Sequence, residues 1–137
     1  MSEEILADPA IPGETRPRLA FASDTVELLH ALWDRHGPLM FHQSGGCCDG
    51  SSPMCYPLGD FIIGGADVQL GTVDLGPAPG DLSGAHRTVP FYMSAEQFEY
   101  WKHTFLTIDV VDGRGSGFSV EAPEGKRFLT RSRLMDG

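Results

Sequence analysis

The sequence predicts a single α+β domain with six or seven short, mostly antiparallel strands and one main helix. The chain has 137 residues, which is close to the length of one domain. Its 17 glycines and 10 prolines suit frequent turns and short strands better than long helices. Residues 1–18 carry three prolines and show little periodicity, so we expect a flexible tail there. The α+β domain is then predicted to span residues 19–137.

The main helix is predicted from Asp24 to Arg35. Asp24 is a favourable N-cap residue, and Glu27 follows three positions later, as in a capping box. Apolar residues recur at helical spacing along this segment. Gly37 ends the helix, because glycine readily adopts the conformation required at a helix C-terminus.

The rest of the domain is predicted to be largely strands. Six segments show alternation or β-branched content, namely 39–43, 67–73, 89–93, 104–111, 118–121 and 126–134. Phe61-Ile62-Ile63 is a further short apolar segment. Pro90 cannot donate a ladder hydrogen bond, so the strand 89–93 is expected at a sheet edge. A short second helix, 95–101, follows Ser94 as its capping residue.

Composition and charge exclude several classes of function. The net charge of −9 argues against binding to nucleic acid or to an anionic membrane, since both require clustered cations. No apolar run approaches the ~20 residues of a membrane span. The acidic N-terminus lacks the pattern of a secretory signal. The three cysteines lie within nine residues and do not form a spread, even-numbered disulfide set, so we expect a reducing cytoplasm.

The segment Ser44-Gly45-Gly46-Cys47-Cys48-Asp49-Gly50-Ser51-Ser52-Pro53-Met54-Cys55 carries the most chemical information. Thiolates favour zinc, copper(I) and iron–sulfur clusters. The spacing differs from the paired CxxC of a zinc ribbon. Adjacent cysteines point apart in an extended backbone, so the predicted ligand pair is either Cys47 or Cys48 together with Cys55.

Three other residues are candidates to complete a metal site. His42 lies at the beginning of the cysteine segment, and His103 follows the second helix. Asp49 lies within the glycine-rich loop, where an aspartate also commonly forms a turn with its own backbone. His36, at the helix end, is expected to be a solvated cation near the helix dipole, and His86 is expected to have no role.

The cysteines leave other interpretations open. They are compatible with small buried core residues, with a reversible disulfide from Cys55 to Cys47 or Cys48, and with a nucleophilic thiolate in the loop. No P-loop, dinucleotide fingerprint or GxSxG motif is present in the sequence.

The string from Phe41 to Cys55 resembles the signature of the family catalogued as domain of unknown function 779. Further matching segments are Trp101-Lys102-His103-Thr104, Gly113-Arg114-Gly115 and Gly117-Phe118-Ser119-Val120-Glu121. The resemblance covers roughly residues 20–133. Members of that family are small bacterial proteins often encoded beside aldehyde dehydrogenases. The resemblance therefore implies an accessory role near aldehyde metabolism, with no assigned reaction.

A more distant likeness concerns the A-type iron–sulfur carriers of the HesB/IscA kind. In those carriers a Gly-Gly-Cys loop follows a strand, and a Gly-Phe strand leads to an Asn-Pro turn. Gly46-Cys47, Gly117-Phe118 and Pro123 occur here in the corresponding order. The likeness implies a HesB-like fold. The carriers also have a C-terminal Cys-x-Cys pair that this chain lacks, so a cluster would need Cys48 or Cys55.

Three hypotheses follow from the residues and the resemblance. The first is a non-enzymatic accessory protein that holds an iron or zinc ion, or an iron–sulfur cluster, and assists an aldehyde or alcohol dehydrogenase. A homodimer completes its three-cysteine site across a two-fold axis. The second is an enzyme or thiol relay in which Cys47 or Cys48 attacks an aldehyde, assisted by Lys102 or His103. The third is a structural interaction module whose cysteines are buried.

Overall fold

A computed structural model of the chain describes residues 5–9, 17–43, 53–59, 64–65, 67–78, 80, 82–101, 104–113 and 125–134. Within these residues the helices and strands, in chain order, are β1 (Ile5–Leu6), β2 (Asp8–Pro9), β3 (Leu19–Phe21), α1 (Ser23–His36), β4 (Leu39–Gln43), β5 (Met54–Pro57), β6 (Asp67–Pro77), β7 (His86–Ser94), α2 (Ala95–Trp101), β8 (Thr104–Asp112) and β9 (Lys126–Leu134). No helix in these ranges is long and apolar enough to cross a membrane.

The strands form two sheets. The first has the order β1-β3-β8-β9, and the second has the order β2-β6-β7-β4-β5. Neighbouring strands are antiparallel except for β3 beside β8 and β4 beside β7, which are parallel. The predicted α+β class and its mostly antiparallel strands are therefore confirmed. The expectations of one main helix and of a HesB-like arrangement are not.

Four phenylalanine rings join the two sheets. Phe21 and Phe128 come from the first sheet, and Phe41 and Phe91 come from the second. The Phe41 ring lies 5.3 Å from Phe21 and 4.9 Å from Phe128 in edge-on geometry, and 5.5 Å from Phe91 in stacked geometry. All four side chains are fully buried. These rings therefore form the centre of the core that lies between the sheets.

The main helix begins and ends for different reasons. Its N-cap is Ala22 without a side-chain cap, so the predicted capping role of Asp24 is wrong. The start is instead tied to β8, because the Ala22 N–H and the Thr25 hydroxyl both donate to the carbonyl of Ile108. At the other end Gly37 adopts a φ of 81° and donates to the Trp33 carbonyl, which confirms the predicted C-terminus.

The N-terminal residues 5–9 lie within the predicted tail, yet they belong to the fold. β1 pairs with β3 of the first sheet, and β2 pairs with β6 of the second. Ala7, between them, is 2% exposed and belongs to the core. The prediction of a tail over residues 1–18 therefore does not describe residues 5–9. Two-residue strands are too short to produce a periodic signal in the sequence.

The strand that contains Pro90 is central, so its predicted edge position is wrong. β7 lies between β6 and β4. Its pairing with β4 begins at Phe91, so Pro90 has a neighbouring strand on one side only, where it lies opposite Thr72 of β6. The missing N–H of the proline therefore leaves no gap in the ladder between β7 and β4.

Several local predictions match the structure closely. β4, α2 and β9 have the predicted bounds. The Gln97 N–H donates to the Ser94 hydroxyl at 3.2 Å, which confirms Ser94 as the cap of α2. The segments 61–63 and 118–121 lie outside the described residues. β3 and β5 are strands that the sequence analysis did not predict.

Candidate functional site

The candidate site lies at the carboxyl end of β4, immediately before the cysteine loop. His42 and Gln43 are the last residues of this strand, and they are 3% and 2% exposed. Their side chains occupy opposite faces, because successive residues of a strand alternate. Gln43 is on the core side, where it accepts a hydrogen bond from the Thr130 hydroxyl of the first sheet at 3.2 Å. His42 is therefore on the outer face of the second sheet.

The imidazole of His42 is held by a carboxylate from a strand that is not its neighbour. His42 Nε2 lies 2.7 Å from Asp67 Oδ1, and the Asp67 side chain is 13% exposed. Asp67 begins β6, and β7 lies between β6 and β4. The other carboxylate oxygen, Oδ2, accepts a 2.9 Å hydrogen bond from the Gly64 N–H. The histidine side chain thus reaches across β7 to a carboxylate that is fixed at both oxygens.

This arrangement keeps the carboxylate charged. The Gly64 N–H bond and then the His42 hydrogen bond hold the pKa of Asp67 below its usual value of 3.8. A charged Asp67 accepts a hydrogen bond from Nε2, so Nε2 carries the proton. Nδ1 is then the acceptor nitrogen whenever His42 is neutral. Carboxylates support histidines in this way in metal sites and in nucleophile–base pairs.

Sequence reasoning selected His42 but missed Asp67. The two residues are 25 positions apart, and Asp67 begins an alternating strand where an acidic residue is ordinary. The pair Gly64-Gly65 just before Asp67 is typical of a turn and does not indicate a contact with His42. No local pattern connects a histidine at the end of one strand to an aspartate two strands away in the sheet.

Cys55 lies in the hydrophobic core. It is fully buried, and in the register of β4 and β5 it lies opposite Phe41, whereas His42 lies opposite Met54. Partners in the register share a face of the sheet. Cys55 and His42 are therefore on opposite faces, and the structure does not bring these two predicted ligands together.

The other predicted ligands, Cys47, Cys48, Asp49 and His103, lie outside the described residues, as does Lys102. Within the residues that are described, no three His, Cys, Asp or Glu side chains converge to hold a metal ion. The chain leaves β4 at Gln43 and returns at Pro53, close to β5. The connection that carries Cys47 and Cys48 therefore begins and ends beside His42.

The remaining histidines have other partners. His30 Nε2 lies 3.1 Å from the Leu75 carbonyl, and Arg87 approaches the other ring nitrogen, Nδ1, at 3.2 Å. This bridge attaches α1 to the second sheet. His36 is exposed in the last turn of α1, and His86 pairs with Asp74 on the surface. None of the three lies with His42 in the candidate site.

Comparison with known proteins then identifies the family. The family model described as Domain of unknown function (DUF779) matches residues 28–134. The chain belongs to the DUF779 family. The DUF779 region contains His42, Asp67 and all three cysteines. No curated protein and no solved structure matches the chain, so the likeness to the A-type carriers gains no support.

Proposed function

We propose that this DUF779 protein is a non-enzymatic accessory protein that holds an iron or zinc ion, or an iron–sulfur cluster. The observation that carries the proposal is the partly buried contact between His42 and Asp67 at the edge of the cysteine loop. Metal-binding histidines commonly donate their second ring nitrogen to a carboxylate, which orients the ring and raises its basicity. His42 has this support already built into the fold.

The proposed ligands are His42 and the thiolate of Cys47 or Cys48, with Asp49 and His103 as further candidates. Asp67 supports His42 and does not bind the metal. Cys55 is left out of this set because it faces the core on the other side of the sheet. Imidazole combined with thiolate suits zinc and iron.

The partner and the assembly are part of the same proposal. The family resemblance supports an aldehyde or alcohol dehydrogenase as the partner, in the cytoplasm. A homodimer would supply the remaining ligands from a second copy, since one chain offers few thiolates. A cluster of the HesB type would use Cys48 together with the partner copy, because this chain has no C-terminal cysteine pair.

The test is elemental analysis and an optical spectrum of protein purified without oxygen and without a metal-binding tag. We expect bound iron or zinc that is lost in whichever of the Cys47→Ser and Cys48→Ser variants removes the ligand and that is retained in Cys55→Ser. In Asp67→Asn the metal affinity should fall about 10- to 100-fold. Circular dichroism checks that each variant folds. A metal-free protein whose loop thiols react freely would overturn the proposal.

The contact between His42 and Asp67 also favours a second function, that of an aldehyde-binding thiol enzyme. A histidine oriented by a carboxylate is the usual base for a nucleophilic cysteine. His42 would take the proton from the thiol of Cys47 or Cys48. The sulfur then bonds to the aldehyde carbon, and the carbonyl oxygen takes a proton, which gives a thiohemiacetal.

This second function predicts that an aldehyde protects one loop cysteine of the metal-free protein from alkylation. His42→Ala should abolish that protection, while His86→Ala, at an exposed histidine, should leave it unchanged. Protection that survives in His42→Ala would exclude His42 as the base.

A further inference from the structure

A groove lies between the first turns of α1 and the end of β8. Leu28 and Val110 form its apolar floor, and both are half-buried against the core. Asp24 and Glu27 form the rim on the helix side, and Asp112 with Lys126 forms the rim on the strand side. An apolar floor is thus bordered by two carboxylates on the helix side and by an aspartate–lysine pair on the strand side.

Within the described part of the chain, the unpaired negative charge of the rim lies on its helix side. Asp112 forms an ion pair with Lys126. Asp24 and Glu27 are exposed, and neither has an ion-pair partner among the described residues. Uncompensated carboxylates beside apolar side chains complement a segment that carries cations beside an apolar residue.

We propose that this groove is the docking surface for a basic segment of a partner protein, with an apolar side chain of that segment seated on Leu28 and Val110. Cations of the segment then face Asp24 and Glu27. The chain's net charge of −9 attracts such a partner over a distance, and the two rim carboxylates set its position. The inference does not rest on the metal, because His42 and Asp67 are not among the described residues that line the groove.

The floor of the groove is continuous with the core that carries β4. Val110 lies opposite Phe128 in the register of β8 and β9. The Phe128 ring contacts Phe41 with 4.9 Å between ring centres, and Phe41 directly precedes His42. Val110 therefore lies between the groove and the buried aromatic cluster that contacts the strand of the candidate site.

The experiment is an NMR titration of the full chain, isotope-labelled in its methyl groups. The ligand added is a short synthetic peptide of alternating lysine and leucine. Two matched peptides serve as comparisons, one with glutamate in place of lysine and one with serine in place of leucine. We expect the Lys/Leu peptide to shift the methyl signals of Leu28 and Val110, and both comparison peptides to bind at least about fivefold more weakly.

Two variants with the same change in charge then locate the contact. Glu27→Lys alters the rim, whereas Glu96→Lys alters an exposed residue of α2 outside the groove. Glu27→Lys should weaken the Lys/Leu peptide about fivefold, and Glu96→Lys by less than about twofold. Equal weakening by both variants, no weakening by either, shifts confined to other residues, or no binding at all would overturn the proposal.

Discussion

Among single residues, Asp67 is the one whose charge the fold stabilises at the candidate site. Its two carboxylate oxygens contact the Gly64 N–H and the His42 ring. These contacts hold its pKa below 3.8. A carboxylate with a lowered folded pKa contributes stability above its unfolded pKa, and it loses that contribution as the pH falls through the folded value.

We therefore expect Asp67→Asn to lower the free energy of unfolding by about 1–3 kcal/mol at neutral pH, since a charged, largely buried hydrogen-bond acceptor is lost. The difference from the unsubstituted protein should shrink as the pH falls below 3.8, and it should disappear once the pH is below the lowered pKa of folded Asp67. Denaturant unfolding curves measured across the acidic range check this expectation.

The control is Asp112→Asn, because the contact with Lys126 also lowers the pKa of Asp112, but at the exposed surface. An exposed ion pair contributes little to stability, so this variant should unfold like the unsubstituted protein at neutral pH. If both variants were equally destabilised, the stabilising role of the Asp67 contacts would be refuted.

Among the helices and strands, the sequence predicts an element correctly where residues close together along the chain determine its bounds. The bounds of α2 follow from the cap at Ser94, and those of β9 follow from alternation alone. The start of α1 was predicted to within one residue, but its cap was wrong, because contacts with β8 stabilise this end of the helix. β3 and β5 have only three and four residues, and their place in the sheets depends on long-range pairing.

At Gly71 the backbone of β2 packs closely against β6. A Cβ atom at Gly71 would lie 2.7 Å from the Asp8 carbonyl oxygen and 2.9 Å from Ala7 Cβ. Gly71→Ala should therefore displace β2 and lower the free energy of unfolding by about 1–3 kcal/mol. Amide exchange should become faster at Thr72, which pairs with Asp8.

Gly65→Ala is the matched control for this change, since nothing lies within 4 Å of a Cβ atom there and its φ is not positive. It should leave stability and amide exchange unchanged. Normal exchange at Thr72 in Gly71→Ala would show that β2 tolerates the added methyl group.

The cap of α2 allows a smaller, separate prediction. Ser94→Ala removes the hydroxyl that accepts the Gln97 N–H, and it should cost about 1 kcal/mol of unfolding free energy. Ser94→Asp should restore most of that loss, because aspartate also caps helices well. Thermal or denaturant unfolding of the two variants measures the difference.

For the whole molecule, the contact between the two sheets is the main source of cohesion. The Phe41 ring contacts rings from both sheets, and the Thr130 hydroxyl donates to Gln43 across the same interior. Strands from the N-terminus, the middle and the C-terminus all contribute to this interior. The two sheets should therefore unfold together.

Phe41→Ala should lower the free energy of unfolding by about 3–5 kcal/mol, since it leaves a large cavity among buried rings. Leu82→Ala is the control, because Leu82 is 99% exposed and its loss should have no effect. Fluorescence and circular dichroism should report one common transition in the unsubstituted protein. Separate transitions would show that the sheets unfold independently.

The sequence by itself determined the α+β class, the segments that form β4, α2 and β9, the importance of His42 as a candidate and the family. Each of these depends on residues that are close together along the chain or on a recognisable string. Only the tertiary structure decided that β7 is central, that Cys55 faces the core and that Asp67 meets His42. Strand order and register set these features, and pairing between distant segments leaves no local pattern from which to read them.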